Sequence, residues 1–428
     1  MNYEETVQYL YDSVPMFQQV GASAYKEGLD TTIELDRHFG HPHRKFKTIH
    51  IAGTNGKGSC SHSIAAILQA EGYKVGLYTS PHLVDFRERI KVNGKCVDEQ
   101  YVIDFVEQEK HFFEPLHPSF FELTTALAFK YFAEQEIDYA VIEVGLGGRL
   151  DCTNIISPIL SIITNISLDH TQFLGDTLAK IASEKAGIIK ENTPVVVGEF
   201  NDETKPVFDA KAKEQNAAIA YAQQMPEVLS ATPCTEGGID YSTVSFGNFH
   251  GELGGTYQAK NTNTVLCAVK KLMQRGVIKS AEPVYAGLAN VVEQTGLHGR
   301  WETLQTAPKV VCDTGHNAGG WQYLGKQIEA QPCKTLRIVF GMVDDKDIDA
   351  VCTMLPKNAT YYFTQATTHR AIPVAKVQEH AAAYGLHGTA FGSVKQAYDA
   401  ALADADKQDF IFVGGSSYVV ADLLTFLS

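Results

Sequence analysis

The alternation that begins at Lys47 constrains the fold most. Short runs of consecutive apolar residues, over residues 48–52, 74–79, 139–144, 159–165 and 194–198, are separated by stretches of helical periodicity such as 122–135. A strand that is apolar on both faces must be covered on both faces, which predicts a mostly parallel sheet packed between helices. Residues 1–46 read as mainly helical with polar loops. Residues 226–256 alternate Thr, Gly and aromatic residues, as a small antiparallel ribbon does, and helical pattern returns over 258–274 and 282–294. Beyond Gly296-Leu297-His298-Gly299-Arg300 a second strand–helix series starts, with strands at 310–313, 337–340, 361–364 and 410–413. The expectation is an α/β protein of two domains, 1–297 and 298–428, with its site at the carboxyl ends of strands, where such sheets bind ligands.

Composition narrows the function. A net charge of −14 with no offsetting basic stripe argues against nucleic acid as partner, and means that an anionic ligand must be met by local Lys and Arg. Eight scattered cysteines without a CxxC pair suit a reduced, cytoplasmic protein. The acidic start Met1-Asn2-Tyr3-Glu4-Glu5 lacks the apolar core of a signal peptide, and no apolar run reaches membrane-spanning length.

The chemistry-bearing residues cluster at strand ends. Gly53-Thr54-Asn55-Gly56-Lys57-Gly58-Ser59 follows an apolar run and opens a helix expected over 60–71. Such a turn points backbone N–H groups at phosphate oxygens, adds the helix N-terminal potential, and supplies a lysine charge. The spacing departs from the Walker pattern, since Ile51 stands five residues before Gly56 and Gly58 separates Lys57 from Ser59. Glu143, ending a strand before Gly145-Leu146-Gly147-Gly148-Arg149-Leu150-Asp151, could hold a hard cation or simply pair with Arg149. His170 and Ser80 emerge at the same sheet edge, each either a ligand or an ordinary turn residue. Lys185 falls on the apolar face of a helix with Leu178, Ile181 and Ala182. It either snorkels outward or sits in a polar site as a neutral amine that can act as nucleophile or take up CO₂. Asp313, in Asp313-Thr314-Gly315-His316-Asn317, could accept from a ribose or orient an amine, or cap the following helix. Arg300 could reach phosphate or form an ion pair.

Taken together with Thr79-Ser80-Pro81-His82-Leu83, Phe86-Arg87-Glu88-Arg89-Ile90, Asp169-His170, Ser183-Glu184-Lys185-Ala186-Gly187-Ile188 and Asp345-Lys346-Asp347, these motifs resemble the folylpolyglutamate synthase/dihydrofolate synthase family of the Mur-ligase superfamily. The resemblance implies a Mur-ligase-like P-loop domain and a smaller Rossmann-like, glutamate-binding C-terminal domain. It implies ATP held by Asn55, Gly56, Lys57, Gly58 and Ser59 with Asn261, Arg300 and Asp313, and Mg²⁺ held by Ser80, Glu143 and His170. It makes Lys185 a carbamate-bearing lysine and gives His316 and Asp313 roles toward glutamate. Ser119, Phe120, Phe121 and Glu122, with Leu150, Asp151 and Cys152, correspond to pterin-contacting segments. The implied activity is ATP-dependent addition of L-glutamate to dihydropteroate and to tetrahydrofolate or folylpolyglutamates, in a monomer. Two departures stand out. The family's Asp-Gly-Ala-His-Asn-Pro is here Asp313 to Ala318 with Thr314 and Gly315 inside, and Tyr257-Gln258 replaces a more usual His-Gln. The alternatives are a UDP-muramyl peptide ligase of the same superfamily and an ATP-hydrolysing switch. Lys185, Asp313 and His316 speak against the switch.

Overall fold

The structure, a computed structural model, describes residues 1–13, 28–235 and 237–427. The chain divides into two units, Met1–Ala231 with Asp240–Glu252 and Gln258–Leu297, and Thr232–Ile239 with Leu253–Tyr257 and His298–Ser428.

The first unit is built on eight strands: β1 (Lys47–Ala52), β2 (Val75–Tyr78), β3 (Ile90–Val92), β4 (Lys95–Cys96), β5 (Tyr139–Glu143), β6 (Leu160–Ile163), β7 (Val195–Val197) and β8 (Ile219–Tyr221). Their order is β4-β3-β2-β5-β1-β6-β7-β8, parallel from β2 through β8, with β3 and β4 antiparallel at one edge. The continuous apolar runs are used on both faces. Val141 packs with Ile49, Ile51, Leu77 and Ile162 and with helices Lys57–Ala70 and Gln258–Gln274, while Ala140 and Ile142 pack with Leu123 and Leu127 of helix Phe120–Glu134. Each Val, Leu or Ile side chain among these taken out of water contributes about 1.5–3 kcal/mol before conformational entropy is charged against it.

The residues expected to be helical before β1 form helices Tyr3–Ser13 and Asp30–His38; the expectation for 14–27 lies outside the described residues. The helix expected over 282–294 is two helices, Glu282–Ala289 and Val291–Thr295, broken at Asn290, whose Nδ2 donates to the Ala286 carbonyl. Asparagine competes in this way with the backbone ladder. The hairpin β3–β4 was not expected, though its signal is in the sequence. Asn93 and Gly94 take φ of 45° and 75°, as an Asn-Gly two-residue turn does.

A three-stranded sheet, β9 (Val228–Pro233), β10 (Ile239–Thr243) and β11 (Asn248–Gly251), fills the stretch expected as a ribbon. The second unit carries β12 (Glu302–Thr306), β13 (Lys309–Asp313), β14 (Leu336–Phe340), β15 (Thr360–Phe363), β16 (Gly388–Ala390) and β17 (Phe410–Gly414) in the order β12-β13-β17-β14-β15-β16. All its pairs are parallel except β12 with β13. Trp321, Phe340, Tyr361, Phe363 and Phe412 dominate its core. Among the described residues no cysteine is in a disulfide, and no helix is long and apolar enough to cross a membrane.

Candidate active site

The glycine-rich turn occupies the step from β1 into helix Lys57–Ala70, which begins three residues earlier than the periodicity suggested. Two glycines are obligatory. Gly53 has φ 145° and a Cβ there would lie 1.8 Å from Thr164 Oγ1; Gly56 has φ 83° and its Cβ would lie 2.3 Å from Asn261 Oδ1. The turn is stitched to the loop after β6. Thr54 N–H donates to the Asn165 carbonyl, Asn55 N–H to Asn165 Oδ1, Ser167 N–H to Thr54 Oγ1, and Thr164 Oγ1 to the Asn55 carbonyl. These bonds fix the loop that leads to Asp169 and His170 against the turn. His170 itself adopts φ 50° at the head of the short helix Thr171–Leu174. Asn261 is held beside Gly56 by a chain in which its Nδ2 donates to Gln258 Oε1 and Gln258 Nε2 donates to Ser59 Oγ.

Lys57 folds over the turn, its Nζ donating to the Gly53 and Thr54 carbonyls at 3.2 and 3.3 Å. Lys185 reaches the same turn from helix Leu178–Ala186. It does not snorkel: it is 5% exposed and its Nζ donates to the Gly53 carbonyl at 2.8 Å. Burial, helped by the nearby Lys57 charge, pulls its pKa down to about 7, with Asp169 and Asp151 pulling the other way. A sizeable share of Lys185 is therefore a neutral amine near neutral pH.

Glu143 is buried at the end of β5 and accepts from the Ser80 N–H at 3.4 Å, so the residues after β2 and β5 meet at the carboxyl edge. Arg149 pairs with Glu184 at 2.8 Å. A buried carboxylate beside a seryl residue, with an imidazole on the loop that follows β6, is a donor set that suits a hard divalent cation.

The segments assigned to the pterin make bonds of their own. Ser119 and Glu122 form a reciprocal capping box on helix Phe120–Glu134, with Ser119 N–H donating to Glu122 Oε2 at 2.6 Å. Phe120 lies in the core with Phe86 and Tyr11, while half-buried Phe121 lies against Tyr78 and Gly145. Leu150 and Cys152 flank Asp151, which is buried and accepts from the Leu146 and Thr153 N–H groups.

The second unit gathers Arg300, Asp313 and His316. Asp313, ending β13, is 3% exposed and accepts from Tyr257 Oη at 2.5 Å and from the Trp301 and Gly315 N–H groups at 2.8 Å. Burial raises its pKa, and the bond from Tyr257 and the Arg300 charge oppose the rise. It is not the helix cap; Asn317 is, accepting from Gly320 N–H at the start of helix Ala318–Glu329. Both departures from the family motif find physical uses. Tyr257 supplies the hydroxyl on Asp313, and Thr314 donates to the Gly299 carbonyl and accepts from Arg300. Ala318, where the family has Pro, occupies the first helical position, which both residues tolerate. His316 Nδ1 lies 3.0 Å from the Thr314 carbonyl and so carries its proton there.

The Mur ligase middle domain matches residues 51–269, and the Mur ligase glutamate ligase domain residues 299–417. A dihydrofolate synthase/folylpolyglutamate synthase of Escherichia coli K12 is 33% identical over 382 residues, covering 87% of this chain and 85% of that protein. The chain belongs to the folylpolyglutamate synthase family of the Mur-ligase superfamily. Family membership extends beyond that relative. A probable bifunctional folylpolyglutamate synthase/dihydropteroate synthase of Haloferax volcanii is 33% identical over 449 residues and 99% of this chain, which spans half the length of that protein. Escherichia coli FolC in complex with DHPP and ADP superposes with a TM-score of 0.84 at 30% identity, covering 100% of this chain and 98% of the other. A bifunctional folylpolyglutamate synthase/dihydrofolate synthase with Mn, AMPPNP and L-glutamate bound gives 0.81 at 27% identity, covering 100% and 98%. The α/β architecture of both units is that of these family structures.

Proposed function

We infer that the chain is an ATP-dependent amide ligase that joins L-glutamate to dihydropteroate and to the glutamate tail of folates, through an acyl phosphate. The first unit serves ATP and the carboxylate substrate; the second serves glutamate. The observation that carries the reading is Lys185, buried on the carbonyl of the phosphate-binding turn and partly neutral. A nucleotide switch has no need of such an amine, whereas a ligase of this family carries a carbamate there.

In this reading the N–H groups of residues 55–59 and the Lys57 ammonium hold the ATP phosphates, with Asn261 at the turn's flank. Ser80, Glu143 and His170 would hold Mg²⁺, which would supply neutralising charge to the phosphoryl group. A carboxylate oxygen of the substrate attacks the γ-phosphorus, the bond to ADP breaks, and an acyl phosphate forms. The α-amine of glutamate then attacks the acyl carbon, phosphate leaves with the former carboxylate oxygen, and the amine gives up a proton. Arg300 meets phosphate charge; Asp313, pinned by three donors, and His316 orient glutamate. Leu150, Asp151 and Cys152, with the exposed part of Phe121, face the pteridine.

Incubating the protein with ATP, Mg²⁺, glutamate and either 7,8-dihydropteroate, tetrahydrofolate or a UDP-muramyl peptide tests this. Phosphate release that depends on glutamate with the first two is expected. Turnover of the muramyl substrate alone, or ATP hydrolysis indifferent to all three, contradicts it.

A further inference from the structure

His50 is fully buried, yet nothing in the ligase chemistry uses it. It stands on β1 between Ile49 and Ile51, which face the opposite side of the sheet, and its Nε2 lies 2.8 Å from Thr153 Oγ1. The Thr153 hydroxyl donates to Asp151 Oδ1 at 2.5 Å, and the Thr153 N–H donates to the same oxygen at 3.0 Å. A hydroxyl has one proton, and here it is spent on the carboxylate. Its oxygen must therefore accept from His50, which makes His50 the Nε2–H tautomer. The other ring nitrogen agrees: Nδ1 is buried without a hydrogen-bond partner among the described residues, as an unprotonated lone pair tolerates better than an N–H. Donation thus runs one way, from His50 to Thr153 to Asp151. The second carboxylate oxygen, Oδ2, accepts from Leu146 N–H at 2.9 Å. Asp151 ties the Thr153 turn to the glycine-rich loop that begins two residues after Glu143.

We propose that His50 and Thr153 are positioning residues, a buried donor relay that sets the rotamer of Asp151 and through it the course of the loop from Gly145 to Asp151, so that the substrate-facing residues of this loop meet the pteridine in one geometry. The proposal rests on the ligase reading for its kinetic consequence but not for its structural one. It explains why a histidine occupies the middle of a central strand, where an aliphatic residue would pack without leaving a polar atom unpaired.

Two variants at one position test it. Thr153→Val keeps the shape and removes the hydroxyl; Thr153→Ser keeps the hydroxyl and removes the methyl. Thr153→Val is expected to raise the KM for dihydropteroate by about tenfold or more while the KM for ATP stays within about twofold, because misplacement is felt where the loop meets substrate. Thr153→Ser should restore the wild-type value. Independently of turnover, amide exchange at Leu146 should quicken about tenfold in Thr153→Val and not in Thr153→Ser, with amides of β6 and β7 unchanged. Unchanged Leu146 exchange in Thr153→Val, or KM values for ATP and dihydropteroate rising together, overturns the relay. A wild-type protein that turns over neither folate substrate overturns the ligase reading instead, and the Leu146 exchange then decides the relay by itself.

Discussion

Lys185 in the first unit and Asp313 in the second are both buried ionisable groups pushed toward their neutral forms, but they are held differently. Lys185 donates to the Gly53 carbonyl and lies near the Lys57 charge, so burial prevails and its pKa falls to about 7. Asp313 receives three donors and faces Arg300, so the rise from burial is opposed. The first arrangement favours a neutral amine; the second keeps a carboxylate fixed in direction. The difference lies in how many hydrogen bonds offset the lost solvation.

The largest effects are expected at Lys57 and Glu143, the groups proposed to meet phosphate and metal charge. Lys57→Ala and Glu143→Ala should each lower kcat by about a thousandfold, the scale of a lost electrostatic contact in the transition state. A steady-state assay showing near-normal turnover in either would remove the first unit from the chemistry. Next comes Lys185. Its folded pKa is below the value of about 10.4 that it has in the unfolded chain, so between about pH 7 and 10.4 the unfolded chain binds more protons. The penalty for burying the charged lysine is full below pH 7 and fades as pH rises through that window. In CO₂-free buffer Lys185→Met should therefore melt higher than wild type at pH 6, with the gap closing toward pH 10; a gap independent of pH would mean that Lys185 stays charged.

The second unit offers a smaller effect. Tyr257→Phe removes one bond to the Asp313 carboxylate, at a cost of about 1.5–3 kcal/mol, and should raise the KM for glutamate, while Tyr257→His, the family's residue, should recover most of the loss. Equal kinetics in all three forms would show that the backbone donors alone fix Asp313. Smallest is the surface pair. Arg149→Ala breaks an ion pair with Glu184 in which Arg149 is 56% exposed, and chemical denaturation should register less than about 1 kcal/mol.

Much of this was legible in the sequence. The continuous apolar runs named five parallel strands because a strand buried on both faces leaves no polar positions, and the break in Walker spacing at Gly58 pointed to the family. Lys185 was only half legible. Its helical face could be read, but periodicity cannot tell a snorkelling lysine from one that ends on a distant carbonyl, and Gly53 lies 132 residues away. The partners of Asp313 were equally hidden, since Tyr257 is an ordinary aromatic until the fold brings its hydroxyl to the carboxylate. The His50 relay was missed for the same reason: a histidine inside an apolar run carries no periodic signal, and its partner stands 103 residues on. Asn93-Gly94, by contrast, was a local turn signal left unread.

In the proposed reaction a carboxylate is activated as an acyl phosphate. Dihydropteroate carrying heavy oxygen in its carboxylate, turned over with ATP and glutamate, tests this directly. Mass spectrometry should find one heavy oxygen in each inorganic phosphate released. Phosphate without the label, or label carried into AMP, would contradict phosphoryl transfer to the carboxylate and with it the roles given to Lys57, Glu143 and Lys185.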